Sequence, residues 1–235
     1  MSTTFEVASV SASVAPTVLP SQAATEAEAP AERPVVWIVD DDEAITAMIS
    51  RLVESIGYQP RAYNDCSAFL AEHDPSTIGC LLSDISMPGM SGLDLLRRLR
   101  DQNTLLPTIF ITGHGSIPMC VEAMQIGAFD FIQKPFSPSQ LKELVKRAID
   151  ADRQRQAAAQ RVNDIQARLA TLTPDERETL RLILDGSMNK NIAAALDVSR
   201  RTVQYRISSL LEKMGVRSRS QLISLVTAAG MNNQL

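Results

Sequence analysis

Five short strand-like runs punctuate residues 35–133: VVWIV (35–39), QPRAY (59–63), GCLLS (79–83), PTIFI (107–111) and FDFIQ (129–133). Between them EAITAMISRLVESIG, CSAFLAEH, SGLDLLRRLRDQ and SIPMCVEAMQIG place apolar residues at a helical period. A strand-helix alternation repeated five times predicts an α/β unit, a doubly wound (βα)5 parallel sheet with helices on both faces. Helix ends are marked by Ser91 three residues before Asp94, by the capping box Ser137-Pro138-Ser139-Gln140, and by Gly57 and Gly127 at two C-termini.

After Pro138 no proline or glycine appears until Pro174, which permits one helix of about 34 residues, roughly 50 Å long. With Leu141 at heptad position a, the a series is Leu141, Ala148, Arg155, Val162 and Leu169, and the d series is Leu144, Ala151, Ala158, Ile165 and Leu172. That seam is apolar but weak in the middle. Either its first half packs on the sheet and the second half is a helical linker, or it forms a marginal coiled coil with a second copy. Residues 172–235 then hold four helical stretches, the first opened by a capping box from Thr173 to Glu176. A short helix, a tight turn at 197–199 and a longer helix with basic residues at its start follow, the organisation of a helix-turn-helix. The expected division is a disordered leader at 1–33, an α/β domain at 34–150, a helical linker at 151–171 and an all-α domain at 172–235.

Composition narrows the setting. The leader is rich in Ala, Ser, Thr and Pro, with no basic residue before Arg33, which fits neither a secretory signal nor a transit peptide. No apolar run approaches the length of a membrane span, and the three cysteines, Cys66, Cys80 and Cys120, form no C-x-x-C pair. A reducing, cytoplasmic protein is expected. The net charge of −4 conceals an excess of three positive charges from Leu172 onward, a weak hint of a nucleic-acid partner.

The candidate chemistry lies at the carboxyl ends of the strands, where open parallel sheets gather their sites. Asp40 and Asp41 follow the first strand, Asp84 the third, Thr112 the fourth and Lys134 the fifth. Three carboxylates do not stay ionised side by side without a cation, and with only His73 and His114 available any metal must be held by oxygen, which suits Mg2+. Lys134 and Thr112 would receive an anionic group, and Asp84, the most strand-embedded acid, is the candidate for phosphorylation. No G-x-x-x-x-G-K-[ST] phosphate loop is present.

The acidic pair in VDDD, the strand LLSDISMPGMSG, the segment FITG and the Lys-Pro in GAFDFIQKPF together resemble the receiver domain of a two-component response regulator. The resemblance implies that Asp84 accepts a phosphoryl group from a sensor histidine kinase and that Asp40, Asp41 and Asp84 hold Mg2+. It further implies that Lys134 pairs with the phosphoryl oxygens, that Thr112 closes on them, and that the switch residue Phe131 follows inward. Asp42 leaves the choice within the acidic run open by one residue. Ser86 and His114, two residues past Asp84 and Thr112, fall where this family tunes phosphoryl lifetime. A phosphatase with an aspartate nucleophile would want an acid at Ser86.

In the helix 200–214, Val203, Ile207, Leu210, Leu211 and Met214 form the apolar face, which leaves Arg201, Gln204, Tyr205 and Ser208 on the other side. The segment from Leu172 to Leu222 resembles the LuxR-type helix-turn-helix of NarL/FixJ response regulators. By that resemblance Gln204, Tyr205 and Ser208 face bases of double-stranded DNA, while Lys190, Arg201, Thr202 and Lys213 face its backbone. Arg206 departs from the family's usual His, adding a phosphate contact or only a surface charge. The implied protein is a transcription regulator and not a metabolic enzyme, a homodimer when phosphorylated, with RNA polymerase as a further partner. A helix-turn-helix that holds a protein partner instead of DNA is the rival.

Overall fold

The computed structural model describes residues 33–113 and 117–231; all but the last residue of the leader expected at 1–33, and His114, lie outside the described residues. The chain runs β1 (Val35–Val39), α1 (Glu43–Ser55), β2 (Gln59–Tyr63), α2 (Cys66–Glu72), β3 (Gly79–Asp84), α3 (Gly92–Asp101), β4 (Thr108–Thr112), α4 (Ile117–Ile126), β5 (Asp130–Gln133) and α5 (Pro138–Ala170). The helices α6 (Pro174–Leu184), α7 (Asn189–Ala195), α8 (Arg200–Met214) and α9 (Arg219–Ala228) complete it. The strands form one parallel sheet in the order β2-β1-β3-β4-β5.

Alternation along each strand divides the sheet between two cores. Val36 and Ile38 of β1, Cys80 and Leu82 of β3, and Ile109 and Ile111 of β4 pack with Val145, Ala148 and Ile149 of α5 and Ile49 and Val53 of α1. Val35, Trp37 and Val39 point the other way, against Phe69 of α2 and Leu95 and Leu99 of α3. Both faces are therefore dry in the centre, which is why β1 is an unbroken apolar run. Strand β5 is an edge strand: Ile132 enters the core, while Phe131 on the opposite face is 43% exposed.

Local signals act as the sequence suggests. Ser137 and Thr173 each form a complete capping box, with Pro138 and Pro174 in the first turn. Gly57 (φ +91°) and Gly127 (φ +99°) adopt the left-handed backbone just past α1 and α4. The strand ends shift by one residue, so that Asp84 and Thr112 are the last residues of β3 and β4 rather than the first residues after them.

Helix α5 is continuous over 33 residues, and the heptad seam is spent within the chain. Leu141 and Ala148 are buried in the sheet core, and Ile165, Leu169 and Leu172 in the core of α6–α9. Arg155 pairs with Asp152 of the same helix, and of the seam only Ala158 is exposed. The seam offers no apolar stripe for a coiled coil. Of the stretch 151–171 expected as a linker, residues 157–161 are the uninterrupted exposed part.

Candidate functional site

The strand order places the topological switch between β1 and β3, since β1 leads outward to β2 and β3 leads to β4. A crevice opens there at the carboxyl ends. One carboxylate oxygen from each of Asp40, Asp41 and Asp84 lies within 4.8 Å of the others. Asp40 is buried, Asp84 half-buried and Asp41 exposed, so the group is open to solvent on one side. Asp42 stands apart from it as the N-cap of α1, its Oδ1 accepting from the Ala44 amide at 2.8 Å. Asp42 is thus engaged as a helix cap, while Asp40 and Asp41 stand beside Asp84.

Lys134 crosses from the end of β5 to donate its Nζ to Asp40 Oδ2 at 2.9 Å, with side chains 22% and 4% exposed. The other oxygen of Asp40 accepts the Asp42 amide at 3.0 Å. Burial raises the pKa of Asp84; Lys134 opposes the rise, Asp40 adds to it, the Ile85 amide opposes it and Asp41 adds to it. A hard divalent cation would relieve that repulsion, and an all-oxygen donor set fits one. Thr112 is buried beside the site at the end of β4, and its neighbour across the sheet register is Gln133. Phe131 points outward in this structure rather than inward.

Glycine at 92 is a requirement that the sequence alone does not flag. A Cβ there would lie 2.1 Å from the Asp84 carbonyl oxygen and 2.9 Å from the Phe110 ring. The Gly92 amide also donates to the Ile85 carbonyl at 3.0 Å, so α3 starts hard against the backbone that carries Asp84. Ser86 is exposed in the intervening loop. Beyond β4 and β5, a cavity of about 590 Å3 is lined by Thr112, Cys120, Val121, Met124, Phe131 and others, with Val121 and Met124 half exposed.

In the second core, Ser199 caps α8 and Asp197 (φ +51°) makes the turn from α7. Val203, Leu210 and Met214 are buried, with Ile207 and Leu211 half-buried beside them. Arg201, Gln204 and Ser208 are exposed, Tyr205 is 76% exposed, and Lys190 is exposed on α7. Thr202 is half-buried, its hydroxyl 2.9 Å from that of Ser199. Two basic residues of α8 are engaged by α6: Lys213 donates to Glu176 Oε2 at 2.7 Å, and Arg206 pairs with Asp175. Arg206, left open between a phosphate contact and a surface charge, is thus an interhelix ion pair between α6 and α8.

Residues 36–146 match the family model of the response regulator receiver domain, and residues 170–226 match that of the bacterial regulatory proteins of the luxR family. The transcriptional regulatory protein FixJ of Bradyrhizobium diazoefficiens is 37% identical over 201 residues, covering 84% of this chain and 97% of that protein. The structure of the response regulator StyR superposes with a TM-score of 0.78 at 34% identity, covering 83% of this chain and 99% of StyR. Full-length FixJ from B. japonicum gives a TM-score of 0.52 at 35% identity, covering 84% of this chain and 98% of that one. The chain belongs to the FixJ class of two-component response regulators, transcription regulators in which a receiver domain controls a LuxR-type helix-turn-helix. Among the described residues no helix is long and apolar enough to cross a membrane.

Proposed function

We propose that Asp84 is the phosphoacceptor and that its phosphorylation by a sensor histidine kinase promotes dimerisation and sequence-specific binding of double-stranded DNA. The observation that carries this reading is the grouping of Asp84 with Asp40 and Asp41 at the switch point, with Lys134 bonded to Asp40. A carboxylate oxygen of Asp84 attacks the phosphorus of the kinase phosphohistidine; the oxygen–phosphorus bond forms as the nitrogen–phosphorus bond breaks, and the imidazole nitrogen leaves with the electron pair. A Mg2+ held by Asp40, Asp41 and Asp84 would supply positive charge against the phosphoryl oxygens during transfer. Lys134, already held at the site by Asp40, supplies the second positive charge.

Once the phosphoryl group is in place, Thr112 closes on it and Phe131 moves inward from the edge strand. The half-exposed Val121, Met124 and Phe131 make the face of α4 and β5 the surface whose shape changes, and pairing of two copies there replaces the coiled coil that the seam had suggested. Two paired domains would present α8 to two adjacent half-sites. Gln204, Tyr205 and Ser208 read bases, and Lys190, Arg201 and Thr202 grip the backbone.

Sedimentation of the protein with Mg2+, before and after an acyl phosphate, tests this reading beside Asp84→Asn. A shift to dimer in wild type alone supports it. An unchanged mass and unchanged oligomeric state in wild type would defeat it.

A further inference from the structure

Asp152, in the fifteenth position of α5, is fully buried yet takes no part in the phosphoryl site. Its Oδ2 accepts from the Gly79 amide at 3.1 Å and from Gln156 Nε2 at 3.0 Å. Its Oδ1 accepts from Arg155 Nε at 3.0 Å and Nη2 at 2.7 Å. Gln156 Nε2 also reaches the Thr77 carbonyl at 3.3 Å. The Gly79 amide has a reason to need this partner. Leu81, two residues on, donates to the Pro107 carbonyl just ahead of β4, so Gly79 faces the same side at a level where β4 has not begun. The carboxylate of α5 completes the sheet edge there.

At its far end the same helix touches the recognition helix. Arg168 Nη1 donates to the Met214 carbonyl, the last residue of α8, at 2.8 Å, and a Cβ on Gly215 would lie 2.6 Å from that nitrogen. Lys213 Nζ lies 3.4 Å from the Thr171 carbonyl. Between Gln156 and Val162, which joins the second core, only the exposed residues 157–161 intervene, and they are helical.

We propose that Asp152 is a positioning residue: it locks the middle of α5 to the receiver sheet, making α5 a rigid connector whose helical phase sets where α8 is held. Releasing the sheet would leave the buried Gly79 amide without its acceptor and take one of four donors from a fully buried carboxylate, both of which are costly away from water. The connector is therefore anchored on both sides of a stretch of about one and a half turns. Phosphorylation-dependent DNA binding, which rests on the function proposed above, then depends on the rotation between the two anchors. The lock itself needs neither phosphorylation nor DNA.

The test uses the full-length protein in two arms. Hydrogen exchange compares wild type with Asp152→Ala. The amides of 153–161 should exchange about tenfold faster or more in the variant, while the rate of phosphorylation by acyl phosphate stays within about twofold. Unchanged exchange in 153–161 overturns the lock. In the second arm Asp152 is intact and alanines are inserted after Ala158: two residues rotate the helix by roughly 200°, whereas seven return it to within about 20° of phase. The phosphorylation-induced gain in DNA affinity should vanish with two and persist with seven, although seven lengthen the helix more. Equal responses from both insertions, kept or lost, overturn phase transmission. If Asp152→Ala does not fold, Asp152→Asn, which keeps the shape and removes the charge, takes its place in the exchange arm, and unchanged exchange in 153–161 there overturns the lock. If wild type itself shows no gain, the functional reading fails while the exchange arm still judges the lock.

Discussion

Lys213 Nζ sits 2.7 Å from Glu176 Oε2, joining the end of α8 to the first turn of α6, and Ser209 donates to the other Glu176 oxygen at 2.7 Å. Glu176 also accepts the Thr173 amide as the capping-box acid. One buried carboxylate thus ties together a helix cap, an ion pair and a hydroxyl. Lys213, grouped by family resemblance with the DNA-backbone contacts, is occupied in holding α8 against α6.

Glu176→Gln is expected to destabilise the C-terminal domain by about 1.5–3 kcal/mol, the range for hydrogen bonds to a charged group. Burial alone would raise its pKa, but Lys213, Ser209 and the Thr173 amide outweigh that and hold it to about 2 against an ordinary value of 4.5. Because the folded value is depressed, the contribution is present above pH 4.5 and is lost as pH falls toward 2. Thermal unfolding across that window should be steeper for wild type than for Glu176→Gln. Equal slopes would remove Glu176 from the account.

Arg201 and Lys213 should separate in a salt titration of DNA binding. Arg201→Ala is expected to reduce the slope of log affinity against log salt by about one, as one phosphate contact is lost. Lys213→Ala should lower the melting temperature of the domain and leave the slope nearly intact. Gln204→Ala should instead relax discrimination at one base position by about 1–3 kcal/mol, read from a panel of single-base operator variants.

Asp84→Asn should gain no phosphoryl mass from an acyl phosphate with Mg2+, where wild type gains one. Lys134→Ala is expected to slow the wild-type reaction by about 100-fold, the order found when a preorganised positive or donor group is removed. Intact mass spectrometry over time reads both, and a phosphorylated Asp84→Asn protein would relocate the acceptor.

His73 packs edge-on against Trp37 at 4.8 Å between ring centroids and lies 5.1 Å from Phe69. Burial lowers its pKa below 6.5, with Asp74 and Asp152 only partly offsetting. A depressed value means that the folded state resists the proton that the unfolded chain accepts. Stability should be level above pH 6.5 and decline as pH falls below it, until the folded state takes up the proton as well. His73→Phe should flatten that decline in a urea titration; an unchanged slope would mean another group is responsible.

Gly79→Ala should unfold or strongly destabilise the receiver. Its Cβ would lie 2.0 Å from the Val35 carbonyl oxygen and 2.5 Å from Cζ3 of the Trp37 ring, and neither backbone nor indole can yield that distance. A cost above the usual 1–3 kcal/mol of overpacking is expected from chemical denaturation. A near-native variant would show that the start of the β1–β3 pairing is more compliant than its geometry.

What the sequence by itself determined was local and periodic. Short strand-like runs between helix-period stretches were enough to locate the five strands, capping boxes at Ser137 and Thr173 marked two helix starts, and the carboxyl-end rule brought Asp40, Asp41 and Asp84 to one crevice. Helix periodicity likewise set the exposed face of α8. The tertiary structure decided what depended on partners distant in the chain. The heptad of α5 was legible, but periodicity cannot say whether an apolar stripe meets a second copy or two cores of its own chain, and here it meets the cores. Asp152 carried no local signal because its amide partner, Gly79, lies 73 residues away. Arg206 read as a phosphate contact or a surface charge and Lys213, by resemblance, as a DNA-backbone contact, but folding brings Asp175 and Glu176 of α6 beside them. Secondary structure follows from neighbours along the chain, whereas the fate of a charge follows from what folding places within about 4 Å of it.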